Sequence, residues 1–335
     1  VIVEARAPTR VDLAGGTLDI HPIYLLEDDV WTVNAAIEVP VRVRLAPARR
    51  GFTINSTDLG QRVSAPSLDA LPLGGPLDLV CRALRHAAPR PGLLVTLSSS
   101  APQGSGLGAS SALLVTLLAA LDRRERRSRP AAELVLAAWR LEAQSLGTLT
   151  GRQDYLAAVH GGINAIHFGV GGDDVHPLRR GQGLRRALQE RMVIAYTGRP
   201  HSSGLTNWGV VRSYLDGTAS TVNHLRSVAD VARRMREALQ GRDLEAAGRL
   251  LAEEWTHRRE LAPGVSTPVI ERAMTVARRH GALAGKACGA GGGGCVLFFV
   301  RSGAKRYCED ALRTAGFAVV PSRIAQAGLR VRVTQ

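Results

Sequence analysis

Between residues 102 and 121 the chain runs Pro-Gln-Gly-Ser-Gly-Leu-Gly-Ala-Ser-Ser and then ten residues, Ala112 to Leu121, that are apolar except for Thr116. A helix apolar around most of its circumference must be buried, so the fold has to enclose this one with a glycine turn at its start. Gly104, Gly106 and Gly108 carry no Cβ, which lets backbone N–H groups point at an anion. The helix N-terminus adds partial positive charge at the same place. Ser110 and Ser111 put hydroxyls where they can cap the helix or bind a metal that accompanies phosphate. A plain strand-to-helix turn needs one or two glycines, not three at alternate positions. Anion binding is therefore the preferred reading of Pro102, Gly104, Ser105, Gly106, Leu107, Gly108, Ala109, Ser110 and Ser111. No lysine follows the glycines, so this is not the GxxxxGK[ST] phosphate loop.

Burying such a helix takes a large core, and 335 residues suffice for one large domain or two coupled ones. With 45% hydrophobic and 21% charged residues the chain is neither disordered nor fibrous. Its net charge is +14, and only Lys286 and Lys305 are lysines, so 41 of the 43 basic residues are arginine. Positive charge is compatible with nucleic acid, acidic membrane or phosphorylated small molecules. Arginine usage this uniform fits codon bias in a GC-rich genome equally well. Aromatics are only 4% and the arginines are spread throughout, so no stacking patch for nucleic acid is expected. The four cysteines form no CxxC pair, which excludes zinc-ribbon and thioredoxin-like readings. They fit reduced, buried thiols in the cytosol. No apolar run reaches transmembrane length, and Val1-Ile2-Val3-Glu4-Ala5-Arg6 reads as a β-strand and not as a signal peptide. A cytoplasmic chain without membrane or nucleic-acid partners is the expectation.

Alternation and turn residues predict strands at Val1–Ala5, Trp31–Ala36, Val39–Leu45, Phe52–Asn55, Leu93–Ser98, Ile163–Phe168, Met192–Tyr196, Val296–Val300 and Leu329–Val333. Helices are expected at Leu77–Ala88, Ala112–Leu121, Ala131–Leu146, from Asp154 to the Gly161-Gly162 pair, over a broken stretch Ser202–Leu261, and at Pro268–His280. The charge run Arg123 to Arg129 reads as a solvated connector. Gly169 to Gly183 holds five glycines and little apolar pattern, which places a domain boundary there. The expectation is α+β in two domains, 1–180 and 181–335.

Three further segments carry chemistry. Glu142 lies near the apolar side of its helix, where a carboxylate costs several kcal/mol (~, on the scale of a buried ion) unless a cation or donor meets it. An edge glutamate paired with an arginine is the competing account. Asp154 opens a helix, a usual place for an N-capping or first-turn acid. Together, two carboxylates beside an anion loop fit a metal ligand plus a base for phosphoryl transfer. In the N-terminal segment Arg6 to Asp19, a glycine turn brings Arg10 and Asp19 towards a common end; a surface hairpin with an Arg–Asp pair is the alternative. Near the far end, Gly289-Ala290-Gly291-Gly292-Gly293-Gly294 leads into an apolar strand. Ordering that many glycines costs entropy, which points to close packing against a ligand or another loop.

In this order the segments resemble the GHMP kinase superfamily, the group of galactokinase, homoserine, mevalonate and phosphomevalonate kinases. The resemblance rests on PxRVxLxGG (Pro8 to Gly16), PxGSGLGxSSA (Pro102 to Ala112) and GAGGGG (Gly289 to Gly294), with ExxxLG and GxQD between them. It implies a ribosomal-protein-S5-like N-terminal α/β domain, a ferredoxin-like C-terminal domain, and use of ATP and Mg2+. By position it makes Ser111 and Glu142 the magnesium ligands, Asp154 the base at the acceptor hydroxyl, and Arg10 a residue that polarises that hydroxyl. The loop Gly104 to Ser110 would hold the phosphates, and Gly16, Thr17, Asp19, Asp154 and Gly162 would meet the acceptor.

Departures narrow the acceptor. Gly16-Thr17-Leu18-Asp19 stands where galactokinases have Glu-His-Thr-Asp, which counts against galactose and weakens mevalonate. The Gly-Gly-Thr turn, Gly151-Arg152-Gln153-Asp154, Tyr196-Thr197-Gly198 and Lys286-Ala287-Cys288 before the glycines are most similar to heptose-7-phosphate and fucose-type kinases. Those enzymes phosphorylate an anomeric hydroxyl. The implied partner is a small-molecule sugar or sugar phosphate, bound by a monomer or homodimer. A phosphorylated sugar would need a cation, with Arg199, His201, Arg258 and Arg259 as candidates. A kinase of mevalonate or its phosphate, and an inactive binding member of the family, are the alternatives.

Overall fold

The computed structural model describes residues 1–178, 181–200 and 203–334. The elements run β1 (Ile2–Ala14), α1 (Ile23–Leu26), β2 (Val30–Pro47), β3 (Phe52–Ser56), β4 (Gln61–Ala65), α2 (Asp78–Ala87), β5 (Leu93–Ser99) and α3 (Ala109–Arg124). Next come α4 (Ala131–Leu146), α5 (Gln153–His160), β6 (Ile163–Gly169), β7 (Gly172–Pro177), α6 (Gly181–Gln189), β8 (Met192–Tyr196), α7 (Ser203–Leu215) and α8 (Ala219–Gly241). The rest are α9 (Leu244–Arg258), α10 (Pro268–Arg279), β9 (Ala282–Ala287), β10 (Cys295–Val300), α11 (Lys305–Thr314), β11 (Ala318–Val320) and β12 (Arg330–Thr334).

Two sheets result. The first has the order β12-β1-β2-β5-β3-β4, and β2 is long enough to take two partners on one edge. Its first part, Val30 to Ala35, pairs with β6, which in turn carries β7; its second part, Val41 to Pro47, pairs with β5. The second sheet has the order β11-β8-β10-β9 and is antiparallel throughout. Together with its helices this is the β-α-β-β-α-β arrangement of ferredoxin-like domains. The architecture is α+β.

Three cores follow from period-two burial. One lies between the first sheet and α2 to α5, a second beneath the opposite face against α8, α9 and the second sheet, and a third under α10 and α11. Both faces of β8 and β10 are covered: Val193, Val296 and Phe298 fill the third core, while Ile194, Leu297 and Phe299 fill the second. The apolar helix α3 is enclosed as its composition demands, touching β1 and β2 on one side and α2, α4 and α5 on the others. Among the described residues no helix is long and apolar enough to cross a membrane.

A register shift positions the site. Ala7 pairs with Val41, but Thr9 pairs with Ile37, so the ladder is broken at Pro8, where the missing N–H is tolerated. Odd-numbered residues of β1 face the first core up to Ala7 and the second core from Val11 on. The shift turns Arg10 towards α5 and the glycine turn.

Several sequence expectations change. The two strands foreseen at 31–45 are one strand, β2, and the first strand continues through Pro8 to Ala14. The glycine-rich stretch after residue 169 contains β7, whose polar residues pair at a sheet edge. The chain Ala-Leu-Ala-Gly-Lys-Ala of β9 has little β propensity and is a strand because β10 pairs with it. The charge run after Leu121 is partly helical: Asp122 pairs with Arg127 and Arg129, and Glu125 with Arg90 and Arg124.

Candidate active site

The glycine turn is gripped from both sheets. Arg10 in β1 donates its backbone N–H to the Leu107 carbonyl at 2.9 Å, and Cys295 in β10 donates to the Ser105 carbonyl at 2.7 Å. Gly104, Gly106 and Gly108 have φ of 60°, 73° and 73°, the left-handed region that side chains avoid, which accounts for glycine at alternate positions. A Cβ on Gly294 would come within 2.7 Å of the Ser105 carbonyl oxygen. The second glycine run thus packs closely against the first, as its entropy cost suggested. Pro102, Gly104, Ser105, Gly106, Gly108, Ala109, Ser110 and Ser111 line a cavity of about 610 Å³. Leu107 does not: its side chain is an anchor in the second core.

At one wall of this cavity Arg10 forks onto Asp154. Nε and Nη2 each donate at 2.6 Å, one to each carboxylate oxygen, while Nη1 donates to the Gly106 carbonyl at 2.6 Å. Burial works against the guanidinium, but the charge and hydrogen bonds of Asp154 together with the charge of Asp12 outweigh it and raise the Arg10 pKa. Asp154 sits in the first turn of α5 with its side chain 22% exposed, so it faces the cavity while its partner is buried. Gly108 leaves room for it; a Cβ there would lie 3.0 Å from its Oδ2.

Glu142 is built differently. It is buried in α4, and no lysine or arginine pairs with it among the described residues. Three hydroxyls donate to it instead: Ser110 to Oε1, Ser111 to Oε2 at 2.8 Å, and Tyr155 to Oε2. Burial, aided by the charge of Asp154, raises its pKa against the pull of those donors. A carboxylate and two serine hydroxyls are hard oxygen donors, and an anion without a protein counter-charge suits a divalent cation that keeps some waters and takes phosphate oxygens. Among the described residues no group of three or more His, Cys, Asp or Glu is placed to hold a metal alone. Tyr155 was missed in the sequence, although it directly follows Asp154 in a helix turn that also faces α4.

The far end of the cavity gathers Thr17, Asp19 and Arg258. Burial pushes the Asp19 carboxyl up to about 6, with the nearby Asp154 charge adding to it, although Gln153 donates its N–H at 2.9 Å. Gly151 is needed here because a Cβ would lie 2.1 Å from Asp19 Oδ2. Behind this end lies a buried network from three distant segments. Lys286 of β9 donates to Asp12 of β1 at 2.9 Å and to Glu254 of α9 at 2.7 Å. Arg258 Nη2 donates to the Gly289 carbonyl at 2.7 Å, but its Nη1 makes no hydrogen bond and lies 3.8 and 3.9 Å from the two carboxylates. Burial tends to raise both acids; Lys286 and Arg258 bring Asp12 below its ordinary value, whereas Glu254 stays above its own.

The remaining expectations divide. Gly16 lies just behind the cavity, where a Cβ would meet Asp12 and Arg258 at 2.2 and 2.8 Å. Gly162 does not line the cavity. The eight-residue α5 carries it about 12 Å from Asp154 along the helix axis, and its N–H bonds the Ala325 carbonyl. Of the cation candidates Arg258 alone lines the cavity; Arg199 and Arg259 are exposed elsewhere, and His201 lies outside the described residues. The ion pair of Arg10 is with Asp154 and not with Asp19.

Comparison with known proteins agrees with this layout. Residues 77–162 match the family model GHMP kinases N terminal domain, and residues 235–316 match GHMP kinases C terminal. The chain is 28% identical over 326 residues to the D-glycero-alpha-D-manno-heptose 7-phosphate kinase of Campylobacter jejuni, with 93% of each covered. It is 28% identical to an L-fucokinase/L-fucose-1-P guanylyltransferase of Bacteroides fragilis, over 90% of this chain and 35% of that longer protein. A solved D-glycero-D-manno-heptose 1-phosphate kinase from Bacteroides thetaiotaomicron superposes with a TM-score of 0.81 at 25% identity, over 99% of both chains.

Proposed function

The chain belongs to the GHMP kinases, and from that premise we propose that it is an ATP-dependent sugar kinase acting on the anomeric hydroxyl of a sugar phosphate of the heptose 7-phosphate type. The observation that carries the reading is Asp154, held by the Arg10 fork at the wall of a cavity whose other walls are the glycine turn and the Glu142 hydroxyl cluster.

In this reading the turn Gly104 to Ser111 holds the nucleotide phosphates with backbone N–H groups at the start of α3. Ser111 and Glu142 would hold Mg2+, with Ser110 beside them. The metal supplies charge neutralisation on the phosphates. Asp154 accepts the proton of the acceptor hydroxyl. Arg10 fixes its orientation through two hydrogen bonds, so that both oxygens are presented in a set plane. Thr17 and Asp19 position the sugar. Arg258, the one cation candidate that lines the cavity among the described residues, meets the phosphate that the acceptor already carries. Phosphoryl transfer asks for positioning and charge stabilisation more than covalent chemistry, and these groups supply both.

The test is ADP release across D-glycero-D-manno-heptose 7-phosphate, the unphosphorylated heptose, L-fucose, galactose and mevalonate. The highest kcat/KM is expected for the phosphorylated heptose, with phosphorus coupled to the anomeric proton in the product. Arg258→Gln should raise KM for that acceptor about 100-fold, the scale of a lost charged hydrogen bond, and leave the unphosphorylated sugar little changed. Turnover confined to mevalonate or galactose would sink the assignment.

A further inference from the structure

A second concave site lies on the opposite face of the first sheet, where β12, β1 and β2 extend past the second core. On that face two rows of side chains stand across the three strands. Glu4 pairs in register with Arg44 on one side and Arg332 on the other. Two residues along, Arg6 pairs in register with Arg42 and Arg330. The first row alternates in sign, and Arg44 reaches Glu4 at 3.6 Å. The second row is three arginines abreast, and like charges directly opposite on neighbouring strands are destabilising. A solvated sheet face gains nothing from such a row by itself.

The row does not stand open. Arg185 from α6 and Arg323 from the segment before β12 close over it, forming a groove of about 610 Å³. Glu38 is the only acid in its lining, and it pairs with Arg323 at 3.3 Å. Among the described residues no carboxylate pairs with Arg6, Arg42, Arg185 or Arg330; Arg42 has only the Ser100 hydroxyl, at 3.4 Å. Four guanidinium groups therefore converge without counter-charge. No aromatic residue lines the groove, so nothing there stacks on a base. Its volume is that of a small-molecule site, and guanidinium forks match phosphate oxygens in pairs.

We propose that this groove is a second binding site, separate from the catalytic cavity, for a small molecule bearing two or more phosphate groups. The like-charge row is the part of the site that its ligand neutralises.

Inorganic tripolyphosphate is the probe, titrated calorimetrically into the intact protein with one equivalent per chain of a non-hydrolysable ATP analogue in the catalytic cavity. One site per chain is expected, weakening as salt is raised. Arg6→Gln should lower affinity about tenfold and Arg6→Gln with Arg330→Gln about 100-fold, the scale of one and two charged contacts. Arg44→Gln, from the complementary row, should leave affinity within about twofold, since it contributes no group to the groove. Without ligand, Arg6→Gln should melt at a higher temperature than the parent, and a given tripolyphosphate concentration should raise the melting temperature of the parent more than that of the variant. Equal binding by parent and Arg6→Gln, equal losses in Arg6→Gln and Arg44→Gln, or tighter binding of a single-stranded RNA than of tripolyphosphate would each overturn the proposal.

Discussion

Glu142 and Asp154 lie twelve residues apart and help line one cavity, yet the protein treats them in opposite ways. Asp154 is given a full positive charge, delivered through two hydrogen bonds from Arg10. Glu142 is given three hydroxyls and no charge, and its pKa rises. A carboxylate already paired with an arginine is fixed in orientation and lacks any reason to recruit a cation. A buried carboxylate met only by dipoles is still short of positive charge. The difference supports the two proposed roles, Asp154 acting on a proton and Glu142 on a metal.

The largest test exchanges the charge at each. Asp154→Asn should lower turnover by about 10³-fold while nucleotide binding persists. It should also destabilise the fold by roughly 3 kcal/mol, because the buried Arg10 loses its partner. Glu142→Gln should also impair turnover, through a raised Mg2+ requirement, but its melting temperature should hold or rise, since a raised-pKa carboxylate is removed. Matching stability losses in the two variants, measured by thermal unfolding, would erase the distinction.

Arg10→Lys is the next step down. It keeps the charge on Asp154 but loses the fork and the bond to Gly106, so a turnover loss of about 10- to 100-fold is expected with the nucleotide KM little changed. Steady-state kinetics decide it; unaltered turnover would mean that charge alone matters at Asp154.

Asp19 extends the comparison to a third acid, one with neither arginine fork nor hydroxyl cluster. Its folded pKa stands at about 6 against an ordinary 3.8, so between these values the folded chain holds a proton that the unfolded chain has lost. Stability attributable to this group therefore falls as pH rises through that window. Asp19→Asn should be more stable than the parent at pH 7.5 by on the order of 2 kcal/mol, and the gain should vanish below about pH 4. Denaturant titrations at the two pH values measure it, and a gain that grows on acidification would reverse the assignment. The smallest effect is Tyr155→Phe, which removes one of three donors to Glu142 and should cost about 1 kcal/mol by the same titration.

How much of this was legible in the sequence depends on distance along the chain. The glycine turn, its serines and Asp154 were readable because each is a local pattern whose chemistry is fixed by neighbours. Glu142 was readable as a carboxylate on an apolar helix side, but its hydroxyl partners include Tyr155, on another helix. The pairing of Arg10 with Asp154 bridges 144 residues, and that of Lys286 with Asp12 bridges 274. No spacing rule reaches so far, so the buried network went unseen although a lone lysine in an apolar stretch is a signal in itself. Gly162, which the resemblance places at the acceptor, stands apart from Asp154 because α5 intervenes. In the fold, strands with apolar alternation were found, while β4, β7 and β9 were missed because pairing and not composition makes them strands.

The strand β12 has a consequence for synthesis. It follows the entire second sheet in the chain, yet it completes the first sheet by pairing with β1 from Ile2 to Arg6. On the ribosome, β1 must therefore wait with one edge bare until the second sheet has been made. An unpaired edge is a template for pairing with another chain. The outward charges of Glu4 and Arg6 stand along that edge throughout the delay, so the arginine that crowds its neighbours in the finished protein also guards the nascent one against its own copies.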